Sequence, residues 1–137
     1  MIDPKELQFG NFIMDDEGCL ARVAGFEPHG HSVRCDEPEG CKIIFDLYGV
    51  DGKIKKGYEN ESDSCSPIEL NSHWMDRCGF ETPDGYNTSV LYNEIMIDFH
   101  LGEYKLRDKP KAQLKYLHQL QNVFYWLTGE ELTIKIT

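Results

Sequence analysis

The sequence contains no apolar run of the roughly 20 residues that a membrane helix needs, and it has few basic residues. Residues 1–10 carry early acidic residues and no apolar core, so we expect no signal peptide. Lysine and arginine number 14 against 24 aspartates and glutamates, which gives a formal net charge of −10. Proteins that bind nucleic acid usually show the opposite balance. The composition therefore predicts a cytoplasmic protein with no membrane association and no direct binding to nucleic acid.

Negative charge is concentrated in the first half of the chain. Residues 1–66 hold 14 acidic and 7 basic side chains, a net charge of −7, whereas residues 67–137 hold 10 and 7, a net charge of −3. Net charge bears on solubility and association rather than on fold. The acidity suits a soluble protein, a protein that meets a basic partner, or an acidic decoy that occupies a nucleic-acid-binding protein.

The five cysteines include no C-x2-C pair, which is the spacing that makes a zinc-site prediction strong. Their odd number and the expected absence of a signal peptide favour reduced thiols that pack as small buried hydrophobes. His29, His31, Cys35 and Cys41 nevertheless follow an H-x-H-x3-C-x5-C pattern, and both residue types bind tetrahedral zinc. The pattern predicts either a zinc site, with zinc as the only suggested cofactor, or a polar loop that happens to contain two histidines.

Residues 1–66 carry short apolar runs separated by turn signals, which predict a small antiparallel β-sheet or barrel. Residues 12–14 and 19–26 predict a β-hairpin, because an acidic cluster that ends in glycine lies between them. Residues 42–48 predict another strand. Residues 53–66 are polar, and no strand is assigned to them.

Residues 67–137 predict a short linking helix over 71–78 and strands over about 88–106. An amphipathic helix is predicted over 111–128, followed by glycine and a final strand at 132–136. The apolar face of this helix contains Leu114, Leu117, Leu120, Phe124 and Leu127. The predicted fold class is α+β, in which the amphipathic helix packs on a C-terminal antiparallel sheet. The halves 1–66 and 67–137 form either two regions or one compact domain.

The stretch from Leu114 to Leu132 reads LKYLHQLQNVFYWLTGEEL. It is similar to the KYVHQLQNLYFALTGEEL ending of a family of small proteins from Bacteroides and related gut bacteria, often encoded in prophages or other mobile elements. Residues 6–12, Pro67–Leu70 and Cys78–Phe80 also resemble this family. The resemblance implies a cytoplasmic bacterial protein linked to mobile elements, and it carries no activity.

His118 lies at the edge of the apolar face of the predicted amphipathic helix, beside neutral amides. With Gln121 and Asn122 it could line a polar pocket, or the three could satisfy backbone groups where the helix meets a strand. A general-base role for His118 would need a nucleophile, and Cys78 is the one conceivable candidate. We predict no catalytic residue, because nothing in the sequence orients such a pair.

Basic residues lead into the amphipathic helix as it is predicted, where cations would oppose the helix dipole. They are Lys105, Arg107, Lys109, Lys111 and Lys115. This run predicts either a contact with a partner or a solvated flank. On the strand before it, Asp98 and His100 face the same side and could bind metal or lie in solvent.

We predict a non-enzymatic binding or accessory protein whose protein partner the sequence does not identify. The prediction rests on the absence of a catalytic constellation and on the resemblance. The alternatives are a zinc-stabilised module, an acidic decoy and a small hydrolase built around His118. An exposed aromatic or apolar patch of several hundred Å² would favour the binding module.

Overall fold

Two antiparallel β-sheets and two helices alternate along the chain as sheet, helix, sheet, helix. The structure is a computed structural model, which describes residues 7–28, 41–48, 54–61, 65–81, 89–92, 94–100, 103–107 and 109–136. At residues 27, 28, 41, 54–61, 100 and 109–113 it describes the backbone alone. The chain divides into two units, Met1–Ile68 and Glu69–Ile136. The predicted α+β fold class is confirmed. Neither helix of the described residues is long and apolar enough to cross a membrane.

The first unit contains a four-stranded antiparallel sheet. Its strands are β1 (Phe12–Met14), β2 (Leu20–Pro28), β3 (Cys41–Tyr48) and β4 (Ile54–Glu61), paired in that order. No pairing joins β1 to β4 within the described strands, so the sheet is open and is not a barrel. The predicted hairpin of β1 and β2 is confirmed, with Ile13 opposite Ala21.

Strand β4 lies in the stretch 53–66, to which the sequence assigned no strand. It pairs with β3, so that Tyr58 lies opposite Phe45 and Ile54 lies opposite Tyr48. An edge strand forms ladder hydrogen bonds on one side only and commonly carries charged residues. The polar composition that hid β4 in the sequence is therefore typical of its position in the sheet.

Two buried polar side chains hold the turns on either side of β1. Asp15 Oδ1 accepts hydrogen bonds from the backbone N–H groups of Glu17 (3.0 Å) and Cys19 (2.8 Å). Asn11 Oδ1 accepts one from the backbone N–H of Gln8 (2.7 Å). These bonds satisfy both buried side chains, so the acidic start of the hairpin loop has a structural role.

The core of the first unit forms where β1, β2 and β3 share a buried face. Alternate residues of a strand point to the same side, which places Ala21 with Val23 and Ile43 with Phe45. The buried cluster consists of Leu7, Ile13, Ala21, Val23, Ile43, Phe45 and Cys65.

The second unit begins with a short helix and continues into a second four-stranded antiparallel sheet. Helix α1 spans Ser72–Arg77, close to the predicted 71–78. Asn71 caps it, because its side chain accepts a hydrogen bond from the backbone N–H of Trp74 at 3.0 Å. The strands are β5 (Ser89–Tyr92), β6 (Ile95–His100), β7 (Glu103–Leu106) and β8 (Lys109–Leu114), paired in that order.

Helix α2 spans Leu117–Thr128, so the predicted helix 111–128 began too early. Residues 109–114 form β8 instead, with Leu114 opposite Tyr104. Leu114 and Leu117 are three residues apart, which fits one face of a helix. The same spacing arises when a strand ends in a buried leucine and a helix begins with another three residues later. The predicted boundary was wrong because both elements bury a residue at this point.

The start of α2 is fixed by the side chain of Gln119. Its Oε1 accepts hydrogen bonds from the backbone N–H groups of Lys115 (2.9 Å) and Tyr116 (3.0 Å), which precede the helix. Most of the basic run therefore lies on or between β7 and β8, before the helix. The predicted conflict with the helix dipole therefore applies only to Lys115, which directly precedes the N-cap residue Tyr116.

The predicted final strand at 132–136 is wrong, since within the described residues this segment joins neither sheet. It is held on α1 instead. The N–H of Lys135 donates to the carbonyl of Arg77 (2.9 Å), and Nη1 of Arg77 donates to the carbonyls of Lys135 (2.8 Å) and Ile136 (2.6 Å). Alternating apolar residues predict a strand, whose backbone carbonyls would accept hydrogen bonds from a neighbouring strand. Here the guanidinium of Arg77 donates to those carbonyls instead.

Helix α2 packs on the second sheet through its buried face of Leu117, Leu120 and Phe124. Phe124 stacks on Tyr92 of β5 with 5.7 Å between ring centroids, and Tyr92 contacts Phe80 at 5.6 Å. Other buried residues of this unit include Met75, Ile97, Leu106, Leu114 and Leu132. The predicted packing of one amphipathic helix on the C-terminal sheet is confirmed.

Replacement of Gly129 by alanine should destabilise the second unit by about 1 kcal/mol. Gly129 follows α2 at φ +73°, and an added Cβ would meet no atom within 4 Å, so backbone strain accounts for the whole cost. Urea unfolding followed by circular dichroism measures the change. Gly129→Asn should cost less, because asparagine tolerates the left-handed conformation. Equal stability of Gly129→Ala and the parent protein would contradict this expectation.

Candidate functional site

The predicted zinc site lies almost entirely outside the described residues. His29, His31 and Cys35 are not among them, and Cys41 is described only by its backbone, as the first residue of β3. Among the residues that the structure does describe, no three His, Cys, Asp or Glu side chains form a group that could hold a metal ion. The zinc site stays a prediction, which native mass spectrometry of protein purified without a metal-affinity tag can test.

His118, which the sequence places at the edge of the apolar face, is fully buried. Its exposed fraction is 0%, and its ring stacks on Tyr116 with 5.8 Å between centroids. Gln121 and Asn122 lie one turn further along and are half-buried. None of the three lines the cleft described below, and a polar site on this helix stays a prediction.

Cys78 is buried and is poorly suited to act as a nucleophile. Burial raises the pKa of its thiol to about 12. A nucleophilic cysteine reacts as the thiolate, whereas a thiol with this pKa stays protonated at neutral pH. The hydrolase hypothesis, in which Cys78 would pair with His118, therefore lacks its nucleophile.

Iodoacetamide should modify Cys19 in the folded protein faster than Cys78 or Cys65. Cys19 is half-buried, whereas Cys65 and Cys78 are buried free thiols. Peptide mass spectrometry after brief labelling at pH 8 measures the three sites separately. Labelling in urea provides the control, since all three thiols should then react at similar rates. Labelling of Cys78 as fast as Cys19 without urea would show that the thiol is accessible.

An open cleft of about 720 Å³ lies between α1 and one face of the second sheet. Its lining includes Asp76 of α1, Phe80 and Glu81 after that helix, and Phe99 and Tyr104 of the sheet. We call it the acid–aromatic cleft. All of these residues belong to the second unit.

The floor of the acid–aromatic cleft belongs to the same face of the sheet as the buried core, at the place where that face becomes exposed to solvent. Ile97 and Phe99 lie on the same side of β6, yet Ile97 has no exposed surface and Phe99 is 42% exposed. Tyr104 of β7 pairs with Phe99, and their ring centroids are 4.7 Å apart. Burial raises the pKa of Tyr104, so its phenol is neutral at physiological pH. The floor is therefore aromatic and uncharged.

Asp98 lies between Ile97 and Phe99 in the sequence, and neighbouring side chains bind its carboxylate. It forms an ion pair with Arg107, from Nη2 to Oδ1 at 2.6 Å and from Nε to Oδ2 at 3.2 Å. Ser89 Oγ donates to the same Oδ1 at 2.7 Å. The bonds from Arg107 and Ser89 lower the pKa of Asp98. Asp98 thus has a structural role, and the side chain of His100, its suggested metal-binding neighbour, lies outside the described residues.

Asp98→Asn should lower the free energy of unfolding at pH 7 by up to about 1 kcal/mol, the range of a partly exposed ion pair. Because the folded-state pKa of Asp98 lies below its unfolded value of about 3.9, its stabilising effect is present above that pH. The effect is lost as the pH falls through the lowered pKa. Urea unfolding from pH 7 to pH 2 should show the two proteins converging.

Glu103→Gln is the control for this substitution. Glu103 pairs with Lys105 at 3.8 Å, and its side chain is 70% exposed, so its loss should not change stability measurably. A constant difference between Asp98→Asn and the parent protein across the pH range would contradict the lowered pKa.

The end of α2 exposes three consecutive large side chains, Tyr125, Trp126 and Leu127, at 51%, 69% and 41%. Leu127 lies two turns beyond Leu120, and Tyr125 lies two turns beyond His118, so each pair shares a direction around the helix. The earlier member of each pair is buried and the later one is exposed. The part of the second unit that buries α2 therefore extends only as far as about Phe124. We call the exposed group the Tyr125–Leu127 surface.

No protein-family model, curated protein sequence or solved structure matches this chain. The resemblance of residues 114–132 to the Bacteroides family stays a prediction. Function is therefore inferred from the geometry of the second unit.

Neither the acid–aromatic cleft nor the exposure of Trp126 was predicted from the sequence. Helical geometry places Trp126 on the side opposite Leu117. That position was a usable signal for exposure. The exposure of Phe99 had no such signal, because Phe99 continues the buried alternation of β6.

Proposed function

We propose that this protein is a non-enzymatic binding module whose protein partner docks on the Tyr125–Leu127 surface. The exposure of Tyr125, Trp126 and Leu127, three consecutive residues near the end of α2, is the observation that supports the proposal. Tryptophan and tyrosine are enriched among the residues that dominate binding energy at protein interfaces. The family resemblance supports a role as a cytoplasmic accessory protein of a bacterial mobile element.

The charge around this surface defines the chemistry of the partner. Glu130 and Glu131 are exposed directly after α2, and the last turn of the helix contains no basic residue. The carbonyl groups at the end of a helix add partial negative charge. A fitting partner presents an apolar centre surrounded by lysine or arginine.

A second copy of this chain fits the surface less well than such a partner. Two-fold contacts bring the same patch of both copies together. Glu130 and Glu131 of each copy would then approach each other, in a chain whose net charge is −10. Like charges across an interface are unfavourable. We therefore expect a different protein with a basic surface.

A synthetic peptide of lysine and leucine that forms an amphipathic helix should shift the indole N–H resonance of Trp126. The indole of Trp74 should not shift, because it lies on α1, where it contacts Arg77. Two-dimensional ¹⁵N–¹H spectra of the labelled protein measure both resonances in one titration. A matched peptide with glutamate in place of lysine should shift neither resonance.

Two variants control this titration. Combined Glu130→Gln and Glu131→Gln substitution should weaken binding by roughly three- to tenfold, through loss of exposed charge pairs. Phe9→Ala removes a 70% exposed aromatic side chain from the first unit and should not change the affinity. If the Trp126 resonance stays fixed at high peptide concentration, or responds equally to both peptides, the proposed surface is wrong.

A further inference from the structure

We infer that the acid–aromatic cleft binds the arginine side chain of a short peptide segment. This site is separate from the Tyr125–Leu127 surface, since none of Tyr125, Trp126 and Leu127 lines the cleft. The inference does not rest on the proposed function, and either could be correct without the other.

The negative charge of the cleft is not neutralised within the described structure. Asp76 and Glu81 line it and are both exposed, and no lysine or arginine is among its lining residues. No ion pair to either carboxylate occurs among the described side chains, in contrast to Asp98, which is held by Arg107. A cationic group that enters the cleft would therefore meet two available carboxylates.

The aromatic floor favours guanidinium over ammonium. Phe99 and Tyr104 form a contacting pair of rings, of which Phe99 is well exposed. A planar guanidinium stacks on aromatic faces and is weakly hydrated, whereas an ammonium group keeps its water more strongly. A guanidinium can also bind a carboxylate through two parallel hydrogen bonds. A cleft lined by both carboxylates and aromatic rings thus matches arginine better than lysine.

The size and the apolar lining of the cleft indicate a peptide rather than free arginine. Its volume of about 720 Å³ exceeds what one guanidinium group needs and falls within the range of ligand pockets. Val90 and Phe99 supply apolar surface in the cleft, and Met75, Phe80 and Ile97 are buried in its wall. This surface suits the apolar residues on either side of an arginine in a peptide segment.

Isothermal titration calorimetry with the peptide Ac-Ala-Leu-Arg-Leu-Ala-NH2 tests the inference on the full chain. Replacing arginine by citrulline keeps the shape of the side chain and removes its charge. The citrulline peptide should bind about tenfold more weakly, which corresponds to one cation–π contact and one or two exposed ion pairs. N-acetylarginine amide distinguishes the free amino acid from the peptide and should also bind about tenfold more weakly, because it lacks the apolar neighbours.

Asp76→Asn and Glu81→Gln should each weaken the arginine peptide several-fold and leave the citrulline peptide unchanged. Glu69→Gln removes an exposed carboxylate from the same unit outside the cleft lining and should leave both affinities unchanged. Trp126→Ala should also have no effect, which separates this site from the Tyr125–Leu127 surface. Circular dichroism confirms that each variant is folded.

Three results would overturn the inference. The first is equal affinity for the arginine and citrulline peptides, or no binding of either. The second is equal affinity for the peptide and N-acetylarginine amide, which would make the cleft a small-molecule site. The third is an equal loss of affinity in Glu69→Gln and Asp76→Asn, which would show an unspecific effect of net charge.

Discussion

Burial of one face of α2 organises the second unit of this protein. Leu117, Leu120 and Phe124 lie inside it, and the contacts of Phe124 with Tyr92 and of Tyr92 with Phe80 join the helix to β5 and to the segment after α1. Removing a large side chain from such a position costs about 2–5 kcal/mol, a large share of the stability of a small protein. Because this packing stops near Phe124, Tyr125, Trp126 and Leu127 present their side chains to solvent.

The arginine side chains of the second unit bind groups within that unit, and this affects which charges remain at its surface. Arg77 binds the backbone of the last described residues, and Arg107 binds Asp98 and Ser89. They are the only two arginines between residues 69 and 136. Within the described residues, neither arginine binds Asp76 or Glu81 of the cleft. The bonds that stabilise the fold thus leave the negative charge of the cleft in place.

Features set by local periodicity could be predicted from the sequence, and features set by distant neighbours could not. The β1–β2 hairpin and the α2 stripe follow from the spacing of apolar residues within one element. The strand β4, the start of α2 and the anchoring of residues 132–136 depend on β3, β7 and Arg77, which lie elsewhere in the chain. The exposure of Trp126 could have been predicted from its position opposite Leu117 on the helix. The exposure of Phe99 could not, because it depends on where the elements that cover β6 end.

Both surfaces combine aromatic rings with carboxylates, and the two kinds of group contribute differently. Charge pairs at an exposed site are screened beyond a Debye length of about 8 Å at physiological salt, so they favour one sign of partner and speed the encounter. Apolar contacts with Trp126 or Phe99 act only at short range and persist in salt. At both proposed sites, aromatic contact would therefore set how tightly a partner is held, whereas acidity would set which partners approach.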